Sequence, residues 1–93
     1  MIAQALAPAK IVSLPMGKKI NYAGHTFCHS KNGQLSLNSA KPAEMVSFIV
    51  YRGMAEYRCF AAIKNDCVYF FEGATIGSSM ITEEKVKEAL SQV

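Results

Sequence analysis

The stretch MVSFIVYRGMAEYRCFAAIKNDCVYFFE, running from Met45 to Glu72, decides the fold. It reads as three β-strands in a meander. Met45 to Tyr51 is β-branched and aromatic, Glu56 to Lys64 and Cys67 to Glu72 follow, and turn signals stand at Gly53-Met54 and Asn65-Asp66. A helix here would align Met45, Phe48, Ile49, Arg52 and Glu56 with Gly53 inside it. That stripe turns charged, so strand is the better reading. A two-residue turn at Asn65-Asp66 sets Lys64 opposite Cys67, Ala62 opposite Tyr69 and Phe60 opposite Phe71.

Parity then sorts the side chains onto two faces. One face holds Phe48, Val50, Tyr57, Cys59, Ala61, Ile63, Val68 and Phe70 and must be core. The second holds Ile49, Tyr51, Glu56, Arg58, Phe60, Ala62, Lys64, Cys67, Tyr69 and Phe71, mixing aromatic and basic residues. Rings in this number are rarely left wet, so the second face needs a cover. Three covers compete: the N-terminal segment, a protein partner, or a nucleic acid.

Working upstream, His25 to Ser30 and Gln34 to Asn38 flank Asn32-Gly33, a strong hairpin signal. A two-residue turn pairs Lys31 with Gln34, Ser30 with Leu35 and Cys28 with Leu37. Thr26, Cys28, Leu35 and Leu37 then face inward, and His25, Phe27 and His29 face water. Lys19 to Tyr22 adds a short strand turned by Ala23-Gly24. Lys10 to Leu14 reads as a further short strand, ended by Pro15 and Gly17, that is either a sheet edge or a cover for a sheet face. Met1 to Ala7 contains helix formers but is too short to hold a helix alone.

Downstream, Thr82 is a good N-cap with Glu83 and Glu84 in the first turn, and Ile81 and Val86 stand at the positions of a hydrophobic staple. The helix is expected over residues 82 to 92, with the stripe Val86, Ala89, Leu90 and Val93 laid on the wholly apolar face. The expected fold is therefore α+β, an antiparallel sheet of about five strands packed by one C-terminal helix. Residues 1 to 93 are read as a single domain, with an N-terminal arm over 1 to 17 and the sheet over 18 to 72.

Composition narrows the function classes. The chain of 93 residues is 51% apolar and 18% charged, which is a globular profile and not a disordered one. No apolar run approaches the roughly 18 residues of a membrane span, so no membrane partner is expected. The net charge of +3 is uneven: residues 1 to 43 carry five lysines and no acid, and the remainder carries five basic and seven acidic residues. The lysines are spaced rather than clustered, which reads as a solvated surface more than as a nucleic-acid footprint. Three cysteines fit no disulfide scaffold, and the N-terminus lacks the charged region of a secretory signal. A cytoplasmic protein with reduced thiols is expected.

Catalytic and metal chemistry find little support. In His25-x-x-Cys28-His29 the strand geometry turns Cys28 away from both histidines, which stand ~13 Å apart at ~3.3 Å per residue. A zinc ion needs ligands converging at about 2.0–2.3 Å, so the motif reads as structural and no metal or cofactor is expected. Cys28 lacks the surroundings of a nucleophile. Gly73 to Ser79 sits where phosphate loops sit but has neither the P-loop lysine nor a G-x-G-x-x-G pattern. The one feature with a functional reading is the second face, with Tyr51, Arg58, Phe60, Lys64, Tyr69 and Phe71 as candidate binding residues. The expectation is a non-enzymatic protein-binding module, a regulator, inhibitor or assembly component, with a homodimer as the simplest form. The alternative is a single-stranded RNA- or DNA-binding protein that stacks bases on the same rings, although no RNP motif is present.

Overall fold

The computed structural model describes residues 6–77 and 80–93. The expectations for Met1 to Ala5 and for Ser78 and Ser79 lie outside the described residues. Seven strands and one helix follow in order: β1 Lys10–Ser13, β2 Lys19–Tyr22, β3 His25–Ser30, β4 Gln34–Leu37, β5 Met45–Arg52, β6 Ala55–Lys64, β7 Cys67–Gly73 and α1 Glu83–Leu90. They form two antiparallel sheets rather than one sheet of about five strands. The four-stranded sheet has the order β1-β7-β6-β5 and the three-stranded sheet the order β2-β3-β4.

The meander has the expected register. Phe60 lies opposite Phe71, Ala62 opposite Tyr69 and Lys64 opposite Cys67. Asn65 and Asp66 both have positive φ, 53° and 61°, as a type I′ turn requires. The Lys10 segment joins this sheet as its edge strand, with Ile11 opposite Tyr69 and Val12 opposite Val68.

The β3–β4 hairpin departs from expectation by one residue. Lys31–Gly33 forms a three-residue 3-10 turn in which Gly33 takes φ 66°, a value that only glycine adopts at no steric cost. Ser30 therefore pairs with Gln34, His29 with Leu35 and Phe27 with Leu37. A one-residue slip turns a whole strand over. Phe27 and His29 point inward at 0% and 3% exposure, and Thr26 is exposed on the outside. Phe27, His29 and the half-buried His25 thus face the large sheet and not water, and Thr26 and Cys28 stand on the outer face and not inward as a two-residue turn predicts.

The slip supplies the cover for the wholly apolar face. Phe27 and Leu35 of the small sheet pack on Phe48, Val50, Cys59, Ala61, Val68 and Phe70 of the large one. Phe27 meets Phe48 and Phe70 edge-on at 5.1 and 5.2 Å, and Tyr22 stacks on Phe70 at 4.0 Å. Each ring buried here contributes about 1.5–3 kcal/mol.

With that face filled by a sheet, α1 lies on the other face, not on the apolar face where it was expected. Ile81, Val86 and Ala89 pack on Phe60 and Phe71. Gly73 makes the approach feasible: a Cβ there would stand 2.7 Å from the Ile81 Cβ. Thr82 caps the helix as its sequence predicts, its hydroxyl accepting from the Lys85 N–H at 3.3 Å. Among the described residues no helix is long and apolar enough to cross a membrane.

Candidate functional site

The helix divides the aromatic-basic face into a covered end and an open end, and the six candidate residues fall on both. Phe60 and Phe71 are buried beneath α1 at 7% and 1% exposure. Tyr69, half-buried, packs against the same cluster. The Lys64 ammonium donates to the carbonyls of Leu90 and Val93, each at 2.7 Å, so it anchors the C-terminal end of the helix. A cation is well placed there, where unpaired carbonyls carry the negative end of the helix dipole. Tyr51 and Arg58 lie beyond the helix.

The open end is built by the β5–β6 hairpin. Tyr51 pairs with Glu56 and Ile49 with Arg58, and Arg58 is also opposite Gly73 at the end of β7. Tyr51 is 70% exposed, Met54 in the turn is fully exposed, and Ile76, on the loop leaving β7, is 81% exposed. Sequence reading named Tyr51 and Arg58 but missed Met54 and Ile76. Their signal was available: long apolar side chains occupy turn positions, where small or polar residues are usual.

Behind this end, on the core side of the same strands, Arg52 forms an ion pair with Glu72 and stands over the Tyr57 ring at 5.5 Å. The hydrogen bond that Arg52 donates to the Glu72 carboxylate raises the Arg52 pKa. Burial, reinforced by the Glu72 carboxylate, pushes the Cys59 thiol up to about 11. Burial also raises the Tyr22 phenol, with Cys59 and Glu72 adding to it. A protonated, sealed thiol is a poor nucleophile, so Cys59 is a packing residue.

The histidines hold the two sheets together. His25 Nε2 donates to the Ile49 carbonyl at 3.2 Å, and its Nδ1 accepts from the Asn38 amide at 3.3 Å. His29 Nδ1 donates to the Leu14 carbonyl at 2.8 Å, tying β3 to the corner that joins the sheets. Cys28 lies on the outer face of β3, directed away from His29, so the three residues of the motif do not converge. Among the described residues no three His, Cys, Asp or Glu side chains gather where they could hold a metal ion.

No family model matches the chain, and no curated protein or solved structure matches it either.

Proposed function

We propose that this chain is a small, non-enzymatic protein-binding module that meets its partner through the open end of the four-stranded sheet. One observation carries the reading: Tyr51, Met54 and Ile76 are exposed at that end, whereas Phe60 and Phe71 of the same sheet are buried under α1. Large apolar side chains beside an arginine are the composition that dominates protein interfaces energetically, and Tyr51 and Arg58 supply it here. The Arg52–Glu72 pair and the Arg52–Tyr57 contact stiffen the strands beneath, which lowers the entropic cost of docking. The role is that of a regulator, inhibitor or assembly component, and a second copy of the chain is the simplest partner.

The test uses the double variant Tyr51→Ser/Met54→Ser. Sedimentation velocity across a hundredfold range of concentration, together with affinity capture from cells, compares it with the wild type. The expected result is loss of self-association or of specific captured partners. Unchanged oligomeric state and unchanged partners would sink the proposal.

A single-stranded nucleic-acid reading keeps one supporting observation. Lys10, Lys18, Lys19, Lys31 and Lys41 are all exposed, and no acid stands among residues 1 to 43. Against it, a base stacking on Phe60 or Phe71 would first have to displace α1. A labelled oligonucleotide titrated at 50 mM and 200 mM salt separates the readings, because phosphate-driven affinity falls steeply over that range.

A further inference from the structure

The outer edge of β5 is a row of backbone groups with an alternating direction. Arg52 and Ala55 close a two-residue turn, so Arg52, Val50, Phe48 and Val46 bond to β6. Met45, Ser47, Ile49 and Tyr51 then direct their N–H and C=O groups away from β6. Two neighbours confirm the parity: His25 donates to the Ile49 carbonyl, and Ala43, two residues before Met45, exchanges both backbone bonds with Leu35. Among the described residues, Met45 and Ser47 have no backbone partner on this side.

A groove of about 570 Å³ opens beside this row, between the start of β5 and α1. Met45, Ala62 and Leu90 give it an apolar floor, and Glu44, Glu83 and Lys87 form its rim. Glu83, Lys87 and Leu90 are spaced i, i+4 and i+7, so one whole helix face borders it. That face is ~10 Å long at ~1.5 Å per residue, the span of about three residues of extended chain. Glu83 is paired with Lys87 at 3.4 Å, whereas Glu44 makes no ion pair among the described residues. The rim therefore presents one unneutralised carboxylate.

Two open positions of a strand edge, Met45 and Ser47, an apolar floor shared with α1, and one free carboxylate on the rim are the parts of a short strand-accepting groove. It is bounded by Gly33 and Gln34 of the small sheet and by the Ala43–Leu35 and Ile49–His25 bonds. We infer that this groove takes a short extended segment of a partner protein, apolar at alternate positions and carrying a basic residue. The segment hydrogen-bonds to Met45 and Ser47, sets its apolar side chains on Met45, Ala62 and Leu90, and places its cation at Glu44. This site lies at the other end of β5 from Tyr51 and Met54, so it stands independently of the open-end proposal.

The test is fluorescence anisotropy on the full chain with a labelled eight-residue peptide of alternating valine and lysine. Saturable binding is expected, weakened at least tenfold by Glu44→Lys and unchanged by Met16→Ser, a substitution at an exposed side chain away from the groove. A peptide N-methylated at alternate residues, which cannot donate along one edge, is expected to lose binding, and an alternating valine–glutamate peptide to bind at least tenfold more weakly. Absence of saturable binding overturns the inference. So does indifference to Glu44→Lys or to N-methylation, or equal binding of a polylysine octamer, which would reduce the effect to charge alone. Self-association that shifts the Met45 and Leu90 resonances in place of peptide binding would assign the groove to a second copy and also overturn it.

Discussion

Cys59 gives the sandwich core a quantitative test. Its thiol is 1% exposed, and burial, reinforced by Glu72, pushes its pKa from the ordinary 9.0 to about 11. The unfolded chain releases this proton near pH 9 and the folded chain holds it to about pH 11. Between those values the folded state binds more protons, so stability falls as pH rises. The contribution is fully present below pH 9 and is lost between about pH 9 and 11. At pH 10 the loss is about 1 kcal/mol, because one pKa unit corresponds to ~1.36 kcal/mol. Cys59→Ala removes the titration and costs ~1 kcal/mol of packing at every pH. Urea unfolding of both proteins under reducing conditions, at pH 8 and at pH 10, reads the effect of the thiol together with its repulsion of the Tyr22 phenolate, which the substitution also removes. The wild type is expected to be the more stable at pH 8, and the order to close or invert by pH 10. A difference that stays constant or widens over that range would refute the placement of Cys59 in a sealed apolar core.

Three further predictions concern the helix layer. Phe71→Ala should cost about 3–5 kcal/mol in urea unfolding, because the ring is 1% exposed beneath α1, whereas Tyr51→Ala on the open end should cost less than about 0.5 kcal/mol. Gly73→Ala should destabilise by about 1–3 kcal/mol, since its new Cβ would stand 2.7 Å from the Ile81 Cβ, and a melting temperature equal to that of the wild type would contradict the close approach. Lys64→Met should cost about 0.5–1 kcal/mol by removing the donor to the Leu90 and Val93 carbonyls, read as earlier loss of helical circular dichroism on heating.

The sequence was most legible where local rules act alone. Asn65-Asp66 fixes a two-residue turn, and one turn sets the register of both strands that leave it, so Phe60 and Phe71 could be paired in advance. Thr82 and Ile81 likewise mark the start of the helix through contacts within a few residues. The β3–β4 hairpin was less legible because Asn32-Gly33 suits both a two-residue turn and the last positions of a three-residue one. Choosing between them depends on whether Phe27 or Cys28 finds a core, which is a long-range fact. The helix was misplaced for a related reason. The stripe Val86, Ala89 and Leu90 states that a cover exists, but which sheet face it reaches depends on what already fills the other. Burying Phe27 and His29 settled that, and it sent α1 to Phe60 and Phe71. Of the candidate binding residues, Tyr51 and Arg58 remain on the open end because the chain enters α1 at Gly73 and the helix runs away from them toward Lys64.

The four-stranded sheet serves two cores of unequal size. Among the described residues, Phe27, Phe48, Phe70 and six other buried residues lie between the sheets, and five buried residues, Phe60, Phe71, Ile81, Val86 and Ala89, lie between sheet and helix, with Leu6, Met45, Tyr69 and Leu90 half-buried around them. Removing α1 dismantles the smaller core and leaves the larger one intact, so the helix can leave by a sub-global opening that costs less than complete unfolding. Amide hydrogen exchange in α1 then follows this opening, and exchange in β6 follows the whole molecule. In the opened form the rings of Phe60 and Phe71 return to solvent beside Arg58 and a released Lys64.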